Sequence, residues 1–300
     1  RELAAKALHM LRNYGFVVLE NLFEEAALEQ LEAEASVHLD TLRSGGNKYG
    51  IVGQPLRAGR TEVPPPCEGL WANEDLLCND LILEVASHYI CNQLADGRNE
   101  DEQQWAWVQW VTAGAELGWI EAQGSASPEE RKPFKPGCSV HGQDGDRGPW
   151  LGQVTLIESP GMTQPQKKHR DIILPGPMAQ LTMQIALTPF TATNGPVAFR
   201  PASHRMITPG FEIVAVPPRG SAVLYDSFTE HRGLENLSSR TRYALYAEFE
   251  SRGVFTGYPR EHFGEGGAVH MDAFRNMVDS KLQKWRDIAK RAPQPCSKMI

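Results

Sequence analysis

A mainly β fold with flanking helices, of sandwich or jelly-roll type, is what this sequence predicts, and three observations lead to it. Short apolar runs separated by Gly, Pro or polar breaks fill the second half of the chain. One of them alternates strictly: Leu181, Met183, Ile185 and Leu187 are interleaved with Thr182, Gln184 and Ala186, the period of a strand. Helical periodicity is confined to the first third and the C-terminus, which argues against a parallel sheet wrapped by helices.

The elements follow in order. Leu3, Ala7, Leu8 and Leu11 recur at helical spacing, and Gly15 ends the run. Phe16 to Leu19 is a short β-leaning run, and a second helix carries Leu28, Leu31 and Ala35 on one face. Residues 44 to 70, rich in Gly and Pro, read as a long loop, and Glu74 to Ala95 as a third helix. Strands are expected over Trp105 to Val111, Leu151 to Ile157, Leu181 to Leu187, Ala222 to Tyr225 and Tyr243 to Phe249. Ala113 to Pro149 is polar, Gly- and Pro-rich, and reads as an insertion of the kind that forms lids. Phe274, Met277, Val278, Leu282, Trp285 and Ile288 line one face of a C-terminal helix. One domain over 1–300 is the economical organisation. It has a mainly helical part (1–104), a β core (105–250) with an insertion at 113–150, and a closing helix (270–291).

Composition narrows the function. Thirty basic against thirty-seven acidic residues give a net charge of −7, without the basic footprint that nucleic acid requires. No apolar run reaches the length of a membrane span. The five cysteines are odd in number and show no CxxC spacing, so a reducing compartment such as the cytoplasm is expected in place of a disulfide framework. The chain opens on Arg1 and not Met, and so reads as trimmed, which leaves room for a removed targeting segment. A monomer or weak homo-oligomer acting on a small molecule is the expectation for partners.

Chemistry concentrates around Gln166-Lys-Lys-His169-Arg-Asp171. Residues i and i+2 of an extended segment share a side, so His169 and Asp171 can face one metal. Imidazole and carboxylate suit Fe(II), and two His with one carboxylate on one octahedral face leave three positions open. A lone His-x-Asp is weak, since this composition yields about 0.4 such pairs by chance. A second pair, His270-Met-Asp272, indeed occurs. It precedes or opens the C-terminal helix, where i and i+2 diverge, and it reads as helix capping. The first pair gains weight from His231, a few residues after the run Gly220 to Asp226, and from Arg242 opening the next strand, where a planar fork can grip a carboxylate. His204 reads as a loop-fixing residue. His141-Gly-Gln-Asp144-Gly-Asp146 lacks the remaining oxygens of a calcium loop. Lys167, Lys168, Arg131, Lys132 and Lys135 read as exposed cations.

In combination, His169-Arg-Asp171, Asn194-Gly-Pro-Val-Ala-Phe-Arg-Pro-Ala-Ser-His204, His231 and Arg242 resemble the phytanoyl-CoA dioxygenase family. The early segment Asn13 to Phe23 is similar to that family's N-terminal opening. The resemblance implies a double-stranded β-helix (jelly roll, cupin-like) and an Fe(II)- and 2-oxoglutarate-dependent oxygenase that consumes O2. It implies His169, Asp171 and His231 as metal ligands. It also selects Arg242 over Arg240 for 2-oxoglutarate, because the family's arginine comes eleven residues after the distal histidine. Gln166 matches a glutamine that touches 2-oxoglutarate in some branches, and Thr182 and Gln184 share a strand face that either lines the pocket or faces solvent. Two departures are Val197, where relatives often carry Thr, and Pro201-Ala-Ser-His204 for the more usual Pro-Gly-Ser-His. A carboxylate at 171 implies oxygenation in place of halogenation. The competing expectations are an inactive module on the same fold and a metal-binding cupin that does not use 2-oxoglutarate.

Overall fold

The structure is a computed structural model, and it describes residues 2–46, 50–51, 53–91, 149–171, 180–205, 210–251 and 263–291. The expected strand Trp105 to Val111, nearly all of the expected insertion and the His141–Asp146 stretch lie outside the described residues. Helix α1 (Glu2–Tyr14) leads into strand β1 (Phe16–Leu19), and α2 (Glu25–Arg43) precedes the short strands β2 (Gln54–Pro55) and β3 (Thr61–Val63). After α3 (Glu74–Leu77) and α4 (Asp80–Cys91) come β4 (Pro149–Ser159), β5 (Gln180–Ala186), β6 (Val197–Phe199) and β7 (Ile213–Ala215). Strands β8 (Ala222–Asp226), β9 (His231–Gly233) and β10 (Arg242–Ser251) follow, and α5 (Gly264–Arg291) closes the described chain.

Two antiparallel sheets result: a seven-stranded one in the order β1-β8-β5-β10-β4-β3-β2, and a three-stranded one in the order β7-β6-β9. This is the arrangement of a double-stranded β-helix. One face of the large sheet packs against helices: Leu156, Leu181, Met183, Leu224 and Leu245 join Leu11, Leu83, Phe274 and Val278 in a single core cluster. Its opposite face is apolar where Phe16, Val223 and Tyr225 meet Val197 and Phe199 of the small sheet, but polar yet buried along β5, with Gln180, Thr182 and Gln184 each about 1% exposed. Alternation along β5 therefore sorts apolar residues to the helices and polar ones to the sheet's inner face.

A bulge controls which residues of β4 reach that cavity. Glu248 pairs with Gln153 but Phe249 pairs with Leu151, so Gly152 is skipped and the alternation resets. Leu151 and Val154 are then both in the core, while Gln153 and Thr155 face the cavity. Gly15 holds the α1–β1 corner at φ +85°, where a Cβ would sit 2.3 Å from the Thr229 hydroxyl oxygen, so both backbone and space demand glycine there.

Three expectations are corrected. The stretch 44–70 is not one loop: β2 and β3 extend the large sheet, with Glu62 opposite Ile157. The third helix is split at Cys78–Asn79, because the Asn79 side chain accepts from the N–H groups of Leu81 (3.0 Å) and Ile82 (3.4 Å) and starts α4 afresh. His270 does not cap a helix; α5 begins at Gly264, and from within it the His270 Nδ1 accepts the Cys67 N–H at 2.9 Å. Asp272 pairs with Arg275.

Candidate metal centre

His231 opens β9, which pairs with β6 (Phe199 opposite His231). The His169 segment adds beside it through one isolated bridge: His169 N–H donates to His231 O and His231 N–H to His169 O, both at 2.9 Å. Asp171 N–H donates to Ser227 O at 2.9 Å, fixing the next turn of the segment. The 169–171 stretch is thus a bridged extended segment, not a regular strand, but it still places both side chains on one side.

His169 Nε2 and His231 Nε2 lie 3.5 and 3.4 Å from Asp171 Oδ1. One ligand atom from each of the three residues falls within 4.8 Å of the others, the only such cluster among the described residues. Each imidazole Nδ1 is 2.9 Å from a backbone carbonyl, Lys167 O for His169 and Thr229 O for His231. A carbonyl can only accept, so each Nδ1 carries a proton and Nε2 is the nitrogen turned toward Asp171, able to donate to it when protonated and to bind a metal when not. Burial alone would raise the Asp171 pKa, but the charge and hydrogen bonds of His231 and His169 outweigh it and hold the carboxyl well below its ordinary range. Burial opposes a His231 cation, and Asp171 overrides that and raises the His231 pKa. With both Nε2 atoms deprotonated, the three side chains offer two nitrogens and one oxygen on one side, a set that fits Fe(II).

Sequence reasoning missed Tyr225. Its hydroxyl donates to Asp171 Oδ2 at 3.0 Å, and its ring sits 4.9 Å from that of His231. Holding Oδ2 leaves Oδ1 as the oxygen presented to the two imidazoles. Partners of this kind typically contribute 10–100-fold in metal affinity. Tyr225→Phe is therefore expected to weaken Fe(II) retention by about tenfold, measured by anaerobic metal titration. Unchanged affinity would show that Asp171 needs no such support.

The triad opens on a cavity of about 510 Å³. Arg242, the first residue of β10, enters it 2% exposed, with its guanidinium 4.5 Å over the Phe190 ring and beside the Tyr246 hydroxyl. Its Nε and Nη1 have no hydrogen-bond partner among the described residues. Burial lowers its pKa, as expected for a cation without a carboxylate. Arg240 is exposed in the preceding turn, its N–H donating to the Ser238 hydroxyl. A second guanidinium, Arg60, also lines the cavity; it donates to Gln164 O (3.0 Å) and Leu234 O (2.6 Å). Burial, then the charge of Arg242, lower its pKa to about 10.

Gln166 lines the cavity too. Its Oε1 accepts from Gly233 N–H at 2.8 Å, leaving the amide NH2 as the group able to reach a ligand. A Cβ at Gly233 would come within 2.8 Å of that oxygen and 3.2 Å of Arg60, so only glycine permits this approach. Thr182 and Gln184 are not among the described lining residues. Thr182 shares a 2.7 Å hydrogen bond with Ser227, and Gln184 donates to the Tyr246 hydroxyl, so both stand behind the wall. Val197 lines the cavity. His204 is buried against Arg12 O at 3.2 Å, a structural role, and Lys168 is engaged with Glu212 at 3.4 Å.

Two imidazoles and a carboxylate thus converge inside a double-stranded β-helix, beside a buried arginine. Residues 139–244 match the family model for phytanoyl-CoA dioxygenase (PhyH). No curated protein matches the sequence. Among solved structures, AviO1 from Streptomyces viridochromogenes Tue57 is similar at 16% identity and a TM-score of 0.52, covering 84% of this chain and 96% of its own. EvdMO1 is similar at 14% identity and a TM-score of 0.52, covering 83% of this chain and 50% of its own. SnoK, a non-heme alpha ketoglutarate dependent carbocyclase from nogalamycin biosynthesis, is similar at 15% identity and a TM-score of 0.50, covering 82% of this chain and 83% of its own. At these identities the likeness concerns the fold. No described helix is long and apolar enough to cross a membrane.

Proposed function

We propose that this chain, taken as one oxygenase unit over 1–300, oxidises an unactivated C–H bond of a small molecule using Fe(II), 2-oxoglutarate and O2. One observation carries the reading: a cation with unsatisfied buried donors, Arg242, shares a cavity with three convergent metal-ligating side chains. A buried charge left unpaired is costly, so the pocket is built for an anion. A metal-binding cupin with no use for 2-oxoglutarate would leave Arg242 without a purpose.

His169, Asp171 and His231 would hold the iron through two Nε2 atoms and Oδ1, with Tyr225 restraining Oδ2. Arg242 would bind the far carboxylate of 2-oxoglutarate through its free N–H groups, and the Gln166 amide would donate to the same molecule. Once bound, iron and 2-oxoglutarate supply the oxidising power, as O2 is consumed and 2-oxoglutarate is converted to succinate and CO2. The wall residues enclose the reaction; the sheet and its helices keep bulk water from the Arg242 end. Hydroxylation is the default outcome. Desaturation and oxidative ring closure draw on the same oxidant, and SnoK carries the description of a carbocyclase on a similar fold.

An inactive module on the same fold would bind the same ligands and turn nothing over. The discriminating assay is succinate formation from 2-oxoglutarate with Fe(II) in air, scored against panels of acyl-CoAs, amino acids and terpenoid or alkaloid scaffolds. Iron-dependent succinate that rises with one class is expected. A protein that retains iron and 2-oxoglutarate yet forms no succinate with any panel would be the inactive module.

A further inference from the structure

Charge is separated along the cavity. On β10, Arg242, Tyr246 and Glu248 all line it; six residues at roughly 3.3 Å each put the Arg242 and Glu248 backbones about 20 Å apart, and the long Arg242 side chain reaches back along the strand to the Tyr246 hydroxyl. Glu62 on β3 starts level with Ala244, and its carboxyl reaches Gln153, the residue opposite Glu248; Gln180 lines the cavity on the other side of Glu248. Gln153 donates its amide N–H to Glu62 at 3.0 Å, and Gln180 donates to Glu248 at 3.1 Å. Thr155 also hydrogen-bonds Glu62. These neutral donors orient the two carboxyls but do not balance their charge. Neither carboxyl forms an ion pair with a described Lys, Arg or His.

The same strands place this acidic end level with the metal. Thr182 pairs with Tyr225 on one side and Glu248 on the other, so Glu248 lies two strands, roughly 10 Å, from the residue that holds Asp171. That is within the reach of a small molecule. Arg242, fully buried and with unpartnered Nε and Nη1, calls for an anion of its own and forms no ion pair with either glutamate. Burial pushes Glu62 up to about 7 and Glu248 well above its ordinary value, with the charge of Asp171 adding to both. Two acids on the cavity wall, Glu62 buried and Glu248 half-buried, close enough to repel, therefore wait on protons or on a cation.

We propose that Glu62 and Glu248 are specificity-determining residues that receive a protonated amine of the substrate at the end of the cavity remote from Arg242. An ammonium group brings both the missing charge and three N–H donors for the carboxylate oxygens that Gln153 and Gln180 leave free. A hydroxyl brings donors without charge, and an anionic substrate would be repelled. This inference rests on the oxygenase reading of the same cavity.

The test uses the full chain loaded anaerobically with Fe(II) and 2-oxoglutarate, and two matched probe pairs: cyclohexylmethylamine with cyclohexylmethanol, and tryptamine with tryptophol. Calorimetric titration should show each amine binding at least about tenfold more tightly than its alcohol. The isosteric double variant Glu62→Gln, Glu248→Gln should lose that preference while keeping the parent's melting temperature and its visible iron–2-oxoglutarate absorption. Equal binding, preference for the alcohols, no binding of either amine, or a preference that survives in the double variant would overturn the proposal. Any of these with the absorption intact would leave the oxygenase reading standing. Failure of the absorption to form in the parent would remove that reading, and this inference with it.

Discussion

Replacing His231 with alanine is expected to abolish iron retention, with His169→Ala doing nearly the same. Two remaining ligands cannot hold Fe(II) well, and the centre has no fourth described His, Cys, Asp or Glu to take the place of the lost one. His231 has a further influence, because its charge heads the effects that keep Asp171 ionised against burial. Its removal should therefore also let the Asp171 pKa climb and weaken the carboxylate as a ligand. The measurement is iron content after anaerobic reconstitution, with far-UV circular dichroism to show that the sheets persist. Parental iron content in both variants would mean that the three residues are not the metal ligands.

Arg242→Leu should raise the 2-oxoglutarate requirement roughly ten- to a hundred-fold, the consequence of losing a charge-assisted pair worth on the order of 1.5–3 kcal/mol. The requirement for the main substrate should move far less. Arg240→Leu is the control, since that side chain is exposed and outside the cavity. The ligand-free protein offers an independent sign. Arg242 is a buried cation whose Nε and Nη1 find no partner there, so leucine against Phe190 should leave the melting temperature unchanged or higher. The stabilisation that 2-oxoglutarate confers on the parent should disappear in the variant. Equal effects of the two arginine substitutions would remove the basis for choosing Arg242.

The long strands were legible because their periodicity is local. β5 alternates over its whole length, and β1 matches the expected Phe16 to Leu19 run. The strands β6, β7 and β9 are three residues each, too short for a period-two pattern to rise above chance, although β9 carries His231. The pair His169 and Asp171 could be read from spacing, whereas their meeting with His231 depends on a two-hydrogen-bond bridge across sixty residues of chain and was legible only through the family resemblance. Arg60 and Glu62 were hidden in a Gly- and Pro-rich stretch whose strand exists because β4 offers it an edge. Gln153 and Glu248 were hidden for another reason: the bulge at Gly152 decides which face they take, and a bulge leaves no mark in hydrophobic periodicity. Tyr225 sits in a run that reads simply as a buried strand, so its hydroxyl contact with Asp171 had no sequence signal.

The most direct test of the central claim, that one cavity gathers an iron triad and a 2-oxoglutarate arginine, is an anaerobic optical titration of the intact chain. Fe(II) alone should give no visible band, and adding 2-oxoglutarate should produce a weak charge-transfer absorption that saturates near one equivalent of iron. The band should be absent from His231→Ala and shifted to much higher 2-oxoglutarate concentration in Arg242→Leu. A parent protein that binds Fe(II) but develops no band with 2-oxoglutarate, or an Arg242→Leu variant that titrates like the parent, would contradict it.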